Sequence, residues 1–382
     1  MQISIRQGFE EKKEIPMDTS FIDKRLEGIY SKVLKGSRLS KEDGIYIYET
    51  HDLIGIGQIA NHVRKLLHGN KAFYIYNQHL NYTNVCKNRC RFCAYARDRK
   101  EKGAYTWSID EIEKRLLERI DEPVNELHIV GGLNESLTFD YFIDLLKTVK
   151  KVRPRATIKA FTSVEIDYLS KLAGFSIEKT IEMLKQAGLE MMPGGGAEIL
   201  NSRIHEELFP KKINHKRWLE IIRAVHKAGI TTNATMLYGH IETIEERVDH
   251  LITLRELQDE THGFSAFIPL AFHSENTQLT QIPPTTAVDD LKNVAAARLM
   301  LDNFDHIKAY WVMIGEKLAQ VALSFGADDL DGPIIEERIT HMAGAKSALG
   351  LTKEQMVYMI TKAGFEPVER DSFYHPINEL SD

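Results

Sequence analysis

"AFYIYNQHLNYTNVCKNRCRFC", residues 72–93, sets a strand-forming run just ahead of a segment that carries every cysteine of this 382-residue chain: Cys86, Cys90 and Cys93. Aromatic and branched residues in "AFYIYN" (72–77) favour an extended strand, which puts the cysteines in the loop at its C-terminal end. Three thiols within eight positions, with none elsewhere, make no disulfide framework. They point to metal or redox chemistry in a reducing compartment, the cytoplasm.

Outward from this stretch, short apolar runs alternate with longer amphipathic ones. The short runs are "ELHIVGG" (126–132), "TIKAFT" (157–162), "LEMMPGGG" (189–196), "TTNATMLYG" (231–239), "FSAFIPLAF" (264–272) and "HIKAYWVMIG" (306–315). Between them lie helical patterns such as "FDYFIDLLKTVKKV" and "HKRWLEIIRAVHKAG". The alternation is a βα series, which builds a parallel sheet with right-handed crossovers. Seven or eight such units form a TIM-type (β/α) barrel with its active site at the C-terminal strand ends. The expected class is therefore α/β, in three parts. Residues 1–68 form a helical leader, with Phe21, Leu26, Ile29, Tyr30 and Val33 on one face behind an Asp18 or Thr19 cap. Residues 69–335 form the barrel core, and residues 336–382 a C-terminal extension packed on it.

Hydrophobic residues at 43% and charged residues at 27% describe a chain able to bury a large core. A net charge of −6 argues against nucleic acid or an anionic membrane surface as partner and favours a small molecule. The N-terminal "MQISIRQGFEEKKEIP" lacks the apolar centre of a secretory signal, and no apolar run reaches membrane-spanning length.

The cysteine spacing is C-x3-C-x2-C. Three soft thiolates on one loop can each hold a different iron of a cubane cluster and leave the fourth iron open. A structural zinc site is the alternative, with His79 or a distant histidine as fourth ligand; a chance cluster of small side chains is the other. Several predicted strand ends carry further candidates. Gly131 and Gly132 permit close backbone approach to a ligand, or serve only a tight turn. Ser163 and Glu165 offer a hydroxyl and a carboxylate to ribose hydroxyls, or cap a helix. Glu198 follows three glycines. His240 and His273 can act as acid, base or carboxylate ligand, or serve structure alone. His226 and His250 fall on outer helices and are assigned no chemistry.

The spacing together with Phe92 gives C-x3-C-x-aromatic-C, which resembles the signature of the radical S-adenosylmethionine (SAM) superfamily. The resemblance implies that Cys86, Cys90 and Cys93 ligate a [4Fe-4S] cluster. Its open iron chelates SAM, and one-electron reduction cleaves SAM to methionine and a 5'-deoxyadenosyl radical. It implies cofactor contacts from Phe92, Gly131, Gly132, Ser163, Glu165 and Glu198, with the Gly-Gly pair at the methionine amino group.

"HIVGGL", "KAFTSVEI", "MPGGGAEI", "NATMLYGHIETIEERVDHL" and "LQDETHGFSAFIPLAFHSENT" extend the likeness over about residues 25–375 and resemble the aminofutalosine (aminodeoxyfutalosine) synthase family of the futalosine route to menaquinone. That resemblance implies addition of the adenosyl radical to 3-[(1-carboxyvinyl)oxy]benzoate, aryl migration from oxygen to carbon, and release of bicarbonate to leave 6-amino-6-deoxyfutalosine, with SAM consumed. It implies His240 and His273 as catalytic groups, Arg97 and Asn276 as partners of the two substrate carboxylates, and a reductant such as flavodoxin or ferredoxin. Asn134-Glu135 stands where the family pattern has His-Pro. A sibling of the same pathway, cyclic dehypoxanthinylfutalosine synthase, shares "GGGAEI". A non-catalytic metal-binding or electron-transfer protein is the reading from another class.

Overall fold

The structure, a computed structural model, describes residues 20–333 and 338–377. The Asp18 or Thr19 cap and the 335/336 boundary expected from sequence lie outside those residues.

Three helices come first, Leu26–Leu34, Lys41–Glu49 and Leu53–His68. Leu26, Ile29 and Val33 repeat at helical spacing and are buried, as is Phe21 ahead of them. The second helix starts at a capping box in which Ser40 and Asp43 satisfy each other's backbone N–H groups. The third packs along the helix Ala287–Met300.

Among the described residues nine strands follow: β1 (Lys71–Tyr74), β2 (Asn77–Leu80), β3 (Glu126–Ile129), β4 (Thr157–Ala160), β5 (Met191–Met192), β6 (Thr231–Tyr238), β7 (Phe264–Ala271), β8 (His306–Ile307) and β9 (Glu366–Glu369). Strands β2 to β8 form one parallel sheet in sequence order, a curled half-barrel with helices between successive strands. Among the described residues β8 and β2 do not pair, so the sheet stays open where a complete barrel closes. The segment 328–331 stands in that gap. Asp328 N donates to Ile307 O (3.0 Å) and Ala309 N to Asp329 O (2.8 Å) on one side. Phe73 N donates to Asp328 O (2.7 Å) and Leu330 N to Phe73 O (3.0 Å) on the other.

The expected first strand is corrected. "AFYIYN" divides, and its first half, β1, pairs in parallel with β9 near the C-terminus. The first strand of the main sheet is instead the polar "NQHL". All four of its residues are buried: Asn77 Nδ2 donates to Asp331 Oδ1 (3.2 Å), the His79 ring stacks on His128 with centroids 4.5 Å apart, and both amide atoms of Gln78 are buried without a hydrogen-bond partner among the described residues. A strand buried among polar partners carries no apolar signature. β8 is also shorter than expected, and "HIKAYWVMIG" turns helical at Trp311–Ile314.

Charge pairs fill the lower interior. Lys159 Nζ lies 2.6 Å from Glu126 Oε2, Lys308 Nζ 3.3 Å from Asp331 Oδ1, Arg370 Nε 2.6 Å from Asp329 Oδ2, and Arg298 Nη2 2.5 Å from Asp328 Oδ1. Ser372 Oγ donates to Glu126 as well (2.8 Å). Arg370 and Ser372 follow β9, so the C-terminal segment supplies counter-groups for the interior of the sheet. Removing one partner of such a pair strands a buried charge, at a cost of roughly 3–5 kcal/mol.

Burial pushes His68, His226 and His250 down to about 4. Below pH 6.5 the unfolded chain takes up protons at these rings that the folded chain refuses, so stability falls as pH drops from about 6.5 toward 4. The limit is roughly 3 kcal/mol per ring. The urea midpoint is expected to decrease steadily between pH 7 and pH 5; a flat profile over that window contradicts the assignment.

Candidate active site

Beyond β2 the chain makes an excursion whose neck is tied by backbone bonds. Cys86 N donates to Arg97 O (3.1 Å), Arg97 N to Asn84 O (2.8 Å) and Trp107 N to Tyr82 O (2.9 Å). Inside the excursion Cys93 N donates to Cys90 O (3.0 Å), while Arg91 N donates to Leu208 O (2.9 Å) and anchors the loop to the next layer. All three thiols are free and line one cavity of about 360 Å³. Burial pushes the Cys90 thiol up to about 12 and raises Cys93 as well. Thiols so placed give up their protons to a metal rather than to water.

The loop reaches this position because of two glycines after β3. A Cβ on Gly132 falls 2.3 Å from Val85 O and 2.8 Å from Cys86 Cβ; one on Gly131 falls 2.6 Å from the Tyr82 ring. Both line the cavity beside the thiols.

Glu165 ties three strand ends together. Its Oε1 accepts from Tyr82 Oη (2.9 Å), after β2, and from Gly131 N (3.1 Å), after β3. Its Oε2 accepts from Thr162 N (2.7 Å) and Thr162 Oγ1 (2.9 Å), after β4. Four donors fill the acceptor sites of one carboxylate, and burial raises its pKa. Glu165 borders the cavity, but its expected role as a ribose acceptor has no free lone pair here; the structure gives it the capping-box and tie role. Ser163 is buried and does not line the cavity.

Phe92 and Glu198 both line the cavity. Glu198 has a left-handed backbone (φ 47°) and forms an ion pair with Lys212, with both side chains about nine-tenths buried. Lys212 Nζ also sits 5.4 Å above the Phe92 ring and 5.1 Å above Phe209. Burial alone lowers its pKa, but Glu198 outweighs this with help from Cys90, and the pKa is raised. Lys212 is thus a fixed cation at the thiols. Sequence reasoning missed it, because "PKKINH" reads as a solvated basic run until the packing of 207–212 on the cysteine loop is known.

His273 lines the cavity; its Nε2 lies 3.0 Å from Met313 O, which can only accept, so Nδ1 is left as the acceptor. Burial lowers its pKa. The other three candidates lie off the cavity lining. His240 Nδ1 lies 2.8 Å from Glu242 Oε2 in a buried pair. Arg97 Nη1 donates to Ala94 O (2.7 Å) and Ala96 O (2.9 Å) and so braces the cysteine loop. Asn276 is turned away by a left-handed backbone (φ 62°) and donates to Met342 O (3.2 Å). Asn134, at the departure from the family pattern, is buried in the loop neck, donating to Thr106 Oγ1 (2.8 Å) and accepting from Ser136 N (3.0 Å). The cavity floor adds His79, His128 and Asp331, and its mouth adds Ile339, Thr340 and Ala343.

The donor set fits an iron–sulfur cluster. Among the described residues, His68, His306 and Asp328 draw their donor atoms within 4.8 Å of one another; the three sulfurs do not. A single tetrahedral zinc needs donors that close, whereas a cubane spreads its thiolates over separate irons. The His68 group is spoken for, since Arg298 and His306 already hold Asp328.

A parallel half-barrel whose first loop aims three thiols into a cavity at the strand ends is the architecture of a radical SAM enzyme. The radical SAM superfamily model matches residues 80–254, and the CofH/MqnC C-terminal region matches residues 261–381. The chain is 46% identical to aminodeoxyfutalosine synthase of Thermus thermophilus, covering 93% of this chain and 96% of that one. It is 40% identical to the aminodeoxyfutalosine synthase of Streptomyces coelicolor (91% and 93% covered). It is 36% identical to 5-amino-6-(D-ribitylamino)uracil–L-tyrosine 4-hydroxyphenyl transferase of Methanococcoides burtonii (88% and 96%). Methylornithine synthase shares the fold, with a TM-score of 0.72 at 17% identity over 89% of this chain and 97% of that one. The chain therefore belongs to the radical SAM superfamily, in the family that contains aminodeoxyfutalosine synthase. Such an enzyme uses a [4Fe-4S] cluster on three cysteines together with SAM, and this chain has just three.

Gly132→Ala is expected to displace the cysteine loop and lower the iron content after anaerobic reconstitution several-fold, with far-UV circular dichroism unchanged. Wild-type iron loading in this variant contradicts the close-approach account.

Proposed function

We propose that this protein is an aminodeoxyfutalosine synthase of menaquinone biosynthesis. It joins the 5'-carbon of SAM to the methylene carbon of 3-[(1-carboxyvinyl)oxy]benzoate and releases methionine, bicarbonate and 6-amino-6-deoxyfutalosine. The observation that carries the reading is the 46% identity over nearly the whole of both chains. The 4-hydroxyphenyl transferases, at 34–38%, are the second reading.

When bound, the cluster and SAM supply a 5'-deoxyadenosyl radical. The chain does the rest. Gly131 and Gly132 line the cavity beside the thiols, where the methionine end of SAM is seated in this reading, with Phe92 and Glu198 along its length. Lys212 is the cation offered to a substrate carboxylate, and His273 Nδ1, an acceptor in the neutral ring, is offered to a donor on the bound molecules. Arg97, His240, Asn276 and Ser163, which lie off the cavity, are given no direct contact. The apolar wall of Leu237, Ile268, Leu270 and Phe272 excludes water, which strengthens these polar contacts and protects a radical from quenching. The conversion is redox-neutral overall, so the reductant starts turnover without being consumed in proportion to product. Among the described residues no helix is long and apolar enough to cross a membrane, and the thiols call for the reducing cytoplasm.

Anaerobic reconstitution with dithionite, SAM and 3-[(1-carboxyvinyl)oxy]benzoate is expected to give an adenosyl adduct one carboxyl lighter than the sum of its parts, read by mass spectrometry. Formation of 5'-deoxyadenosine alone, combined with turnover of tyrosine and 5-amino-6-(D-ribitylamino)uracil, overturns the assignment in favour of the second reading.

A further inference from the structure

The segment that carries the thiols also carries an unusual charge. Between residues 86 and 102 there are seven basic side chains, Lys87, Arg89, Arg91, Arg97, Arg99, Lys100 and Lys102, against two acidic ones, in a chain of net charge −6. The acids are spent locally: Glu101 lies 2.9 Å from Arg89 and 3.5 Å from Arg97, and Asp98 lies 3.9 Å from Arg89. Lys87 reaches Glu135 (3.2 Å). Arg91, Arg99, Lys100 and Lys102 are exposed, and among the described residues no ion pair joins them to a carboxylate. Arg91 donates only to a backbone carbonyl, Glu207 O (3.2 Å).

This surplus lies on the outer side of the cysteine loop. The thiols face the cavity, Lys87 and Arg91 directly follow two of them in sequence, and the Cys86 N to Arg97 O bond binds the basic return arm to the first thiol. Among the described residues neither the fold nor the cavity pairs these four charges with a carboxylate. Like charges held together in solvent repel one another, and an approaching anionic surface relieves that repulsion while being steered onto the loop. A partner seated on that outer side is separated from the thiols only by the loop that carries them.

We propose that the exposed basic face of residues 87–102 is the docking surface for an acidic one-electron carrier protein, which gives up one electron as the cluster takes one. The inference rests on the radical SAM reading and is independent of the substrate. A nucleic acid is the less favoured anion, because the rest of this acidic chain repels an extended polyanion.

The test uses the full chain with its cluster and the triple variant Arg99→Glu, Lys100→Glu, Lys102→Glu. SAM cleavage to 5'-deoxyadenosine and methionine is read out with either reduced flavodoxin or dithionite as donor, alongside flavodoxin binding by calorimetry. The expected result is a loss of at least tenfold in flavodoxin-driven cleavage and in flavodoxin affinity at low salt, with dithionite-driven cleavage unchanged and the wild-type affinity falling as salt rises. Unchanged flavodoxin behaviour overturns the proposal. So does an equal loss with both donors, which makes the patch a structural support of the cluster. Loss of single-stranded RNA binding with flavodoxin unaffected assigns the patch to nucleic acid and overturns it too.

Discussion

One carboxylate holds the site together. Glu165 accepts hydrogen bonds from groups that follow β2, β3 and β4, and so fixes three consecutive strand ends relative to one another. Parallel strands alone leave their ends free to splay, because nothing in the ladder reaches past the last paired residue. The tie is strong because it is buried and fully satisfied; a carboxylate left with an unmet lone pair at that depth costs more than the bonds return. Gly131 and Gly132 are the other half of the same constraint. Their missing side chains admit the Tyr82 ring at Gly131 and the Val85 backbone, with Cys86 Cβ beside it, at Gly132. The cysteine loop is thus positioned by backbone contact rather than by flexible side chains.

Below the site the interior of the half-barrel is charged rather than oily. Glu126, Lys159, Lys308, Asp329, Asp331 and Arg370 pair in the space that an apolar core fills in other sheets. Glu126 and Lys159 stand on β3 and β4 and Lys308 directly follows β8, while Asp329, Asp331 and Arg370 come from segments that arrive later in the chain, 328–331 and the residues after β9. The open seam is therefore closed by hydrogen bonding and charge, and the cavity above it stands on a rigid polar floor, the stacked His79 and His128. Near the thiols Lys212, held by Glu198, is a buried cation. A fixed positive charge beside thiolates stabilises the more negative, reduced cluster.

Much of this was legible in the sequence, and the failures share a cause. The βα alternation and the cysteine loop are short-range patterns, and both are present where expected. The cavity glycines were half legible: the sequence left close approach and a tight turn both open, and the contacts their side chains would make favour close approach. What failed depends on contacts between distant segments. "NQHL" looked like loop because its partners, Asp331 and His128, lie far along the chain. Arg97 was offered to the substrate carboxylates for its charge and Asn276 for its hydrogen-bonding amide past a strand end; here one braces the cysteine loop and the other is turned outward by a left-handed backbone. Lys212 was invisible for the converse reason, since only packing distinguishes a buried lysine from a solvated one. Glu165 was noticed with both of its roles, and its four donors decide between them.

Cys86, Cys90 and Cys93 would hold a [4Fe-4S] cluster whose fourth iron, left without a protein ligand, would bind SAM. The direct measurement is electron paramagnetic resonance of the dithionite-reduced, reconstituted protein before and after addition of SAM. A change in the g-values of the cluster signal on adding SAM is the predicted result, because SAM binds the iron itself. A signal that stays the same, with SAM left intact, contradicts the account and makes the cluster a closed electron carrier.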